Sequence, residues 1–170
     1  MSFGQLKTAK AIYVLCPGGI QTGGPELLHQ LVSTLNSIGR EAYIVYYPTN
    51  QVWQTPEVYI RYQCQQAENI PDEKNVVVIV PETLPSFLDG FKYATCVIWW
   101  LSVDNYRGNL DTSRYIKIWL KKSLVHGFKF RADILHLFQS EYAKVFVKKR
   151  FNANGEMLSD YLADEYLLDT

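Results

Sequence analysis

The stretch KAIYVLCPGGIQTGGPELLHQL, residues 10–31, joins an apolar run to a leucine-rich run through four glycines and two prolines. The apolar and β-branched residues before Pro17 predict a buried strand. Leucines recur at helical spacing after Pro25, and proline suits the first turn of a helix because its missing N–H is not needed there. The stretch therefore predicts a strand, a glycine-rich turn and a helix that stops near Gly39.

Predicted strands and helices alternate along the rest of the chain. Apolar runs predict strands at EAYIVYYP, NVVVIVPE, TCVIWWLS and ILHLFQS, with a last short strand at GEMLSDYL. Helical segments, some of them short, are expected at TPEVYIRYQ (with Thr55 as cap), LPSFLDGF, SRYIKIWLKKSLV and EYAKVFVKKRF. Continuous apolar strands between helices predict a parallel sheet covered on both faces. The expected fold class is α/β: a Rossmann-like three-layer αβα sandwich with a mainly parallel sheet, in a single domain spanning residues 1–170.

The amino-acid composition limits the classes of partner that are expected. Hydrophobic residues make up 48% of the 170 residues, and Lys plus Arg equals Asp plus Glu at 17 each. A neutral chain argues against nucleic acid as the main partner, because phosphate neutralisation normally needs a basic surplus. The N-terminus lacks a signal-peptide core and no run reaches the length of a membrane span. A cytoplasmic protein is therefore expected.

The cysteines and histidines offer no pattern for a disulfide or a metal. Cys16, Cys64 and Cys96 are widely spaced and odd in number, and two of them lie in apolar runs. This pattern favours reduced, buried thiols. The histidines share no metal-ligand spacing. We therefore expect no metal and no cofactor.

The glycine-rich turn fits neither common phosphate motif. Gly18 and Gly23 have the P-loop separation, but Gly24 and Pro25 stand where Lys and Ser/Thr are needed. The dinucleotide pattern G-x-G-x-x-G is also absent. Two interpretations remain: a tight turn, or a ligand that approaches the main chain closely. Four glycines favour the second, with Gly19, Gly23 and Gly24 as the donor-phosphate or ligand loop.

Two separate segments resemble the retaining GT-B glycosyltransferases that build bacterial capsule and other surface polysaccharides. In TGGPELLHQLVSTLNSIGREAYIV, the residues Gly23, Gly24 and Glu26 match that family's G-G-x-E turn. In ADILHLFQSEYAKVFVKKRF, followed by MLSDYL, the residues Ser140 and Glu141 match its Ser-Glu corner. The sequence LSDYL replaces the family's usual Pro-Asn-Gly at the entry to the interdomain linker. The resemblance covers nearly the whole chain through short motifs.

The resemblance implies a function, and it implies that two domains bind the two substrates. Enzymes of this family have two Rossmann-like domains, and the second one binds the nucleotide sugar. The chain is similar to the N-terminal, acceptor-side domain, and no C-terminal donor-binding domain is seen in it. It would take part in moving a sugar from a nucleotide-sugar donor onto a growing surface polysaccharide or lipid-linked glycan. On this reading the chain alone is inactive, and a nucleotide sugar binds only with the C-terminal domain.

The resemblance also suggests roles for residues near strand ends. The N–H groups of Gly23 and Gly24 would stabilise the leaving diphosphate. No catalytic side chain is assigned, because retaining transfer in this family has no protein nucleophile that a motif would reveal. For Asp104 and Asn105 an ordinary turn or helix cap is an equal alternative. The candidates for binding the glycan acceptor are Glu82, Ser102, Asp104, Asn105, Tyr106 and Ser140.

A function of another class stays open, namely a stand-alone, non-catalytic Rossmann- or flavodoxin-like ligand-binding module. A receiver domain would need acidic residues after its first strand, and residues 16–24 contain none. A flavin-binding loop is usually rich in Ser and Thr, and only Thr22 is present. These two members of the class are therefore disfavoured, and the class itself is not.

The stretch KIWLKKSLVHGFKFR concentrates positive charge in a neutral chain. It is typical of an amphipathic helix whose lysines are solvated, which is the favoured interpretation. The alternative is peripheral contact with the inner face of the plasma membrane, where each basic residue adds about 1 kcal/mol. The basic residues concerned are Lys117, Lys121, Lys122, Lys129 and Arg131.

Overall fold

The computed structural model describes residues 8–106 and 131–159. Six strands form one sheet: β1 (Ala11–Pro17), β2 (Ala42–Tyr47), β3 (Val76–Pro81), β4 (Thr95–Trp100), β5 (Leu135–Phe138) and β6 (Glu156–Met157). Their spatial order is β2-β1-β3-β4-β5-β6, and every neighbouring pair is parallel. The predicted fold class, an α/β Rossmann-like single domain, is confirmed.

Helical segments connect the strands. Helix α1 (Gly23–Ser37) follows β1, and helix α2 (Glu141–Phe151) follows β5. Three 3₁₀-helices lie at Glu57–Tyr62, Pro85–Gly90 and Val103–Asn105. The short helices predicted after β2 and β3 are confirmed as 3₁₀-helices, and the predicted helix SRYIKIWLKKSLV lies outside the described residues.

A single bridge extends the sheet beyond β2. Ile44 pairs in parallel with Gln66, through its N–H to the Gln65 carbonyl (2.9 Å) and its carbonyl to the Ala67 N–H (3.0 Å). Counted as a rudimentary edge strand, this segment gives the 3-2-1-4-5-6 order of a Rossmann sheet, with β6 as a seventh strand beyond β5. The order reverses at β1 and β3, and ligands of such sheets bind outside the carboxyl ends of the strands near that reversal.

Two apolar layers cover the sheet. On one face, Leu28 and Val32 of α1 pack with alternate residues of β1 to β5. On the other face, the fully buried Trp100 and Phe138 pack with Ala143 of α2. Alternate residues of the central strands feed opposite faces, so these strands are apolar throughout.

Helix α1 ends where the sequence predicts. Gly39 adopts a φ of 79° and donates its N–H to Asn36, while Arg40 donates to Leu35. This pair of bonds is a Schellman motif, which satisfies carbonyls at the end of the helix. The helix begins at Gly23, so Pro25 is its third residue and not its first as predicted. No hydrogen bond is lost there, because a third-position N–H also has no partner within the helix.

The three cysteines are free thiols, as predicted, and Cys16 and Cys96 are fully buried. Burial raises the pKa of Cys16 well above its ordinary range and that of Cys96 to about 11. Cys64 is partly buried, and its pKa is also raised to about 11. Within the ranges described, no helix combines the length and apolar character needed to cross a membrane.

Candidate functional site

Gly18 and Gly19 lie under the indole ring of Trp53. A Cβ atom at Gly18 would overlap the Trp53 ring, and one at Gly19 would lie 3.0 Å from Cζ3 of that ring. Gly19 also has a φ of 69°, which favours glycine. The predicted ligand glycine Gly19 therefore has a structural reason in this turn: close approach of an aromatic side chain together with a left-handed backbone.

Gly23 and Gly24 form the uncapped start of α1. Thr22 is the N-cap residue, yet its hydroxyl makes no capping hydrogen bond. Pro25 has no N–H, and Glu26 donates its N–H to the Thr22 carbonyl at 3.1 Å. A Cβ at Gly23 would meet no atom within 4 Å, and one at Gly24 would lie at an ordinary 3.8 Å from Leu101. These glycines border open space at the positive end of the helix dipole.

The 3₁₀-helix Glu57–Tyr62 braces the same turn. The Tyr59 hydroxyl accepts a hydrogen bond from the Thr22 N–H and donates one to the Thr22 carbonyl, both at 3.0 Å. Glu26 accepts from Arg61 at 2.6 Å and from the Tyr62 hydroxyl at 2.8 Å. Sequence reasoning missed these contacts because they join residues more than thirty positions apart. Glu26, which matches the family motif, therefore holds the turn in place.

His29 is a buried, neutral anchor beneath the turn. Its Nδ1 donates to the Pro25 carbonyl at 2.7 Å, and its Nε2 accepts from the Tyr46 hydroxyl at 2.8 Å. The ring stacks on Tyr59 with centroids 4.4 Å apart. Burial lowers the pKa of His29, so the imidazole stays neutral at neutral pH.

Glu82, predicted to bind the acceptor, is turned into the protein. Its side chain is buried, and Oε2 accepts a hydrogen bond from the Leu101 N–H at 2.9 Å. Burial raises the pKa of this carboxyl group, although its backbone hydrogen bonds oppose the rise. Glu82 therefore ties the end of β3 to the end of β4 and offers no open surface to a ligand.

Tyr106 and Ser140 also stabilise the fold and do not face a ligand site. Tyr106 is 8% exposed, and its ring packs edge-on against Trp100 with centroids 5.2 Å apart. Ser140 is the N-cap of α2, where its hydroxyl accepts from the Ala143 N–H at 3.2 Å. These placements argue against acceptor binding by either residue. The Tyr106 ring packs in the core, and the Ser140 hydroxyl already caps a helix.

The remaining three candidates lie at the surface after β4. Ser102 is partly buried, while Asp104 and Asn105 are exposed. The Tyr142 hydroxyl approaches Asp104 at 3.5 Å, a long contact at the edge of hydrogen-bond range. Of the six predicted acceptor residues, these three keep polar groups near solvent. Trp99, whose strand precedes them, is 3% exposed in the core.

A cleft of about 340 Å³ opens at the carboxyl end of β2. Residues 49–53 form one wall and residues 66–69 the other, with Tyr46 at the end of the strand. None of these residues was predicted as a site. The signal available in the sequence was the density of amide side chains on either side of the predicted short helix TPEVYIRYQ, at Asn50 and Gln51 before it and at Gln65, Gln66 and Asn69 after it.

Arg131, one of the five basic residues predicted to contact a membrane, is instead bonded within the domain. Its guanidinium forms two hydrogen bonds with Asp133, at 3.0 and 2.6 Å, and donates to the carbonyls of Leu88 and Phe91. This bidentate contact lowers the pKa of Asp133. Arg131 therefore fastens the segment before β5 to the turn after the second 3₁₀-helix. The four predicted lysines lie outside the described residues.

These observations define an α/β protein of Rossmann-like fold with a glycine turn and a cleft at the carboxyl edge of its sheet. Over residues 8–106 and 131–159, no group of three or more His, Cys, Asp or Glu side chains is placed to hold a metal ion. Comparisons with models of protein families, with curated proteins and with solved structures found no match.

Proposed function

We propose that this domain is the acceptor-side half of a GT-B-type glycosyltransferase. It works with a donor-binding half, contributed by the same polypeptide or by a partner, to transfer a sugar onto a surface polysaccharide or lipid-linked glycan. In this proposal the N–H groups of Gly23 and Gly24 face the diphosphate that leaves during transfer. The positive end of the α1 dipole favours the negative charge that develops there.

The open start of α1 is the observation that carries the proposal. Gly23 is exposed and its Cβ position is empty, while the N-cap hydroxyl of Thr22 leaves the first turn uncapped. This turn follows β1, next to the reversal of strand order where Rossmann-like sheets bind ligands. A turn that served only to reverse the chain would not need two further glycines beyond the pair packed under Trp53.

The first test is calorimetric titration of residues 1–170 with UDP, GDP and UDP-glucose. We expect weak binding or none, because the groups that recognise the nucleotide belong to the donor-binding half. We also expect no sugar transfer by this chain alone. Submicromolar nucleotide binding, or transfer by the purified chain, would overturn the proposal. Tight binding without transfer would favour a stand-alone ligand-binding module.

The second test is Gly24→Val in the complete enzyme, assayed for transfer of labelled sugar onto a lipid-linked acceptor. We expect transfer to be lost, because the side chain blocks approach to the Gly24 N–H. The domain should stay folded, since Gly24 has no positive φ and its Cβ position makes only one ordinary contact. Gly90→Val is the matched control, because a Cβ there meets no atom within 4 Å and the residue lies far along the chain from the turn.

If Gly24→Val unfolds the domain, the glycine serves the turn and its support for the proposal is lost. If the variant folds and transfers sugar like the Gly90→Val control, the diphosphate does not approach this turn.

A further inference from the structure

The cleft beside β2 has the size of a small-molecule site. Its volume of about 340 Å³ lies near the lower end of the roughly 300–1,000 Å³ found for such sites. A ligand of one or two sugar rings is therefore a better match than a longer chain segment held along its whole length. The cleft contains none of the residues that the sequence marked as site candidates.

Both walls of the cleft are held by specific contacts. Gln66 and Ala67 are fixed by the bridge to Ile44, and the Gln66 side chain donates to the Thr55 hydroxyl at 2.7 Å. On the other wall, the Trp53 indole N–H donates to the Pro48 carbonyl at 2.9 Å. These contacts preorganise the cleft, which lowers the entropic cost of binding.

The lining is polar but almost uncharged. Among the residues that the structure describes, Glu68 is the single acidic residue of the lining, and no lysine, arginine or histidine lines the cleft. Phosphates and carboxylates would find no cation there, which disfavours an anionic ligand. Amides offer both donors and acceptors, as does a hydroxyl, so they match a ligand rich in hydroxyl groups. The uncharged polar side chains that line the cleft are Thr49, Asn50, Gln51, Gln66 and Asn69.

Trp53 joins the cleft to the glycine turn. Its partly buried indole covers Gly18 and Gly19 and also lines the cleft. The indole N–H is engaged with Pro48, so the ring supplies an apolar surface beside the amide side chains of the cleft. The C–H face of a sugar ring needs this combination.

We infer that the cleft between residues 49–53 and 66–69 binds a neutral saccharide. The assignment deepens the proposed function, since that function makes the saccharide the acceptor glycan. The position also fits, because Trp53 connects the cleft to the turn that leads into α1. The test measures saccharide binding and not sugar transfer. Its failure can therefore be distinguished from failure of the proposed transferase function.

The experiment is an NMR titration of the ¹⁵N-labelled chain with maltotriose, N,N′-diacetylchitobiose and lactose. We expect at least one of them to shift the indole N–H signal of Trp53 and backbone signals of residues 49–53 and 66–69. Glucose 1-phosphate serves as the charged probe and should bind more weakly than the best neutral sugar, because the described lining offers no cation and the Glu68 carboxylate repels the phosphate.

Two sets of variants test the location of the site. Asn50→Ala combined with Asn69→Ala removes two exposed amides, so the fold should be retained. Affinity should fall about tenfold, because each lost hydrogen bond reduces binding by a few fold. Asn105→Ala tests the rival location after β4, since it removes an exposed amide that the resemblance assigned to acceptor binding. Its affinity should equal that of the wild type.

The outcomes separate the alternatives. Loss of affinity in the cleft variant alone supports the inference. Loss in Asn105→Ala alone overturns it and places the acceptor after β4. No shift with any neutral saccharide up to about 10 mM, or tighter binding of glucose 1-phosphate, also overturns it. If the neutral saccharide binds while the complete enzyme variant Gly24→Val still transfers sugar, the cleft stands and the diphosphate assignment fails.

Discussion

Two helices of this domain start from nearly the same backbone and end up with different first turns. Thr22 before α1 has φ −145° and ψ 170°, and Ser140 before α2 has φ −145° and ψ 158°. Only the Ser140 hydroxyl accepts a hydrogen bond from the helix, at the Ala143 N–H. A hydroxyl residue at an N-cap position therefore does not by itself show whether the start of a helix is closed.

The same contrast extends along the carboxyl edge of the sheet. Near β3, β4 and β5, the polar groups of Glu82, Tyr106 and Ser140 are buried or engaged within the domain. Near β1 and β2, Gly23 is exposed and amide side chains line a cleft. Three of the six predicted acceptor residues near β3 to β5 thus hold the fold together, while Ser102, Asp104 and Asn105 stay near solvent, as the start of α1 and the cleft do.

The largest effect is expected from Tyr106→Ala, which tests whether the β4 end is structural. Removing a ring packed against Trp100, Phe146 and Phe151 should lower the free energy of unfolding by about 4 kcal/mol. The neighbouring exposed Asn105→Ala should change it by less than about 0.5 kcal/mol. Urea denaturation of both variants measures the difference. Equal stabilities would contradict the comparison, because Tyr106 would then lie at the surface, where its predicted role in binding the acceptor requires it.

A smaller effect is expected from acid, through His136 at the β5 end. His136 is buried, its Nδ1 accepts from the Trp100 indole N–H at 3.0 Å, and burial lowers its pKa to about 4. The unfolded chain, with a histidine pKa near 6.5, binds the proton first. Stability is therefore lost as pH falls from about 6.5 to 4, by about 3 kcal/mol in total.

The matched variant is His136→Asn, whose amide oxygen replaces the Nδ1 acceptor but does not titrate. The lowered pKa of His29 acts in the same direction in both proteins, and the raised pKa of Glu82 acts in the opposite direction in both. The difference between the two stability curves therefore isolates His136. Urea denaturation at several pH values should show the wild type losing more stability in acid. Parallel curves would mean that His136 is hydrated and titrates normally.

The fold could be predicted from the sequence because its signals are local. Apolar runs such as residues 76–81 must be buried on both sides, which already implies a covered parallel sheet. Gly39 after a leucine-periodic helix marks the end of α1 by the backbone conformation it alone adopts easily. Each of these features depends on residues within one turn or one strand.

The candidate site could be predicted only in part, because its contacts are distant in sequence. Glu82 follows a strand as a ligand-binding residue would, but its carboxylate turns to the N–H of Leu101, just after the next strand in the sheet. Trp53 covers Gly18 across a gap of more than thirty residues. One wall of the cleft depends on a single bridge at Gln66, which leaves no alternating pattern in the sequence.

The smallest effect compares the two N-caps directly, through Ser140→Ala and Thr22→Ala. Ser140→Ala should lower the free energy of unfolding by about 1 kcal/mol, because the Ala143 N–H loses its acceptor. Thr22→Ala should change it by a few tenths of a kcal/mol at most, since the Thr22 hydroxyl caps nothing and its backbone contacts with Tyr59 remain. Urea denaturation of the two variants beside the wild type resolves the difference. Equal losses of stability would show that the first turn of α1 is capped like that of α2. The N–H groups at the start of α1 would then not be open to a diphosphate, as the proposed function requires.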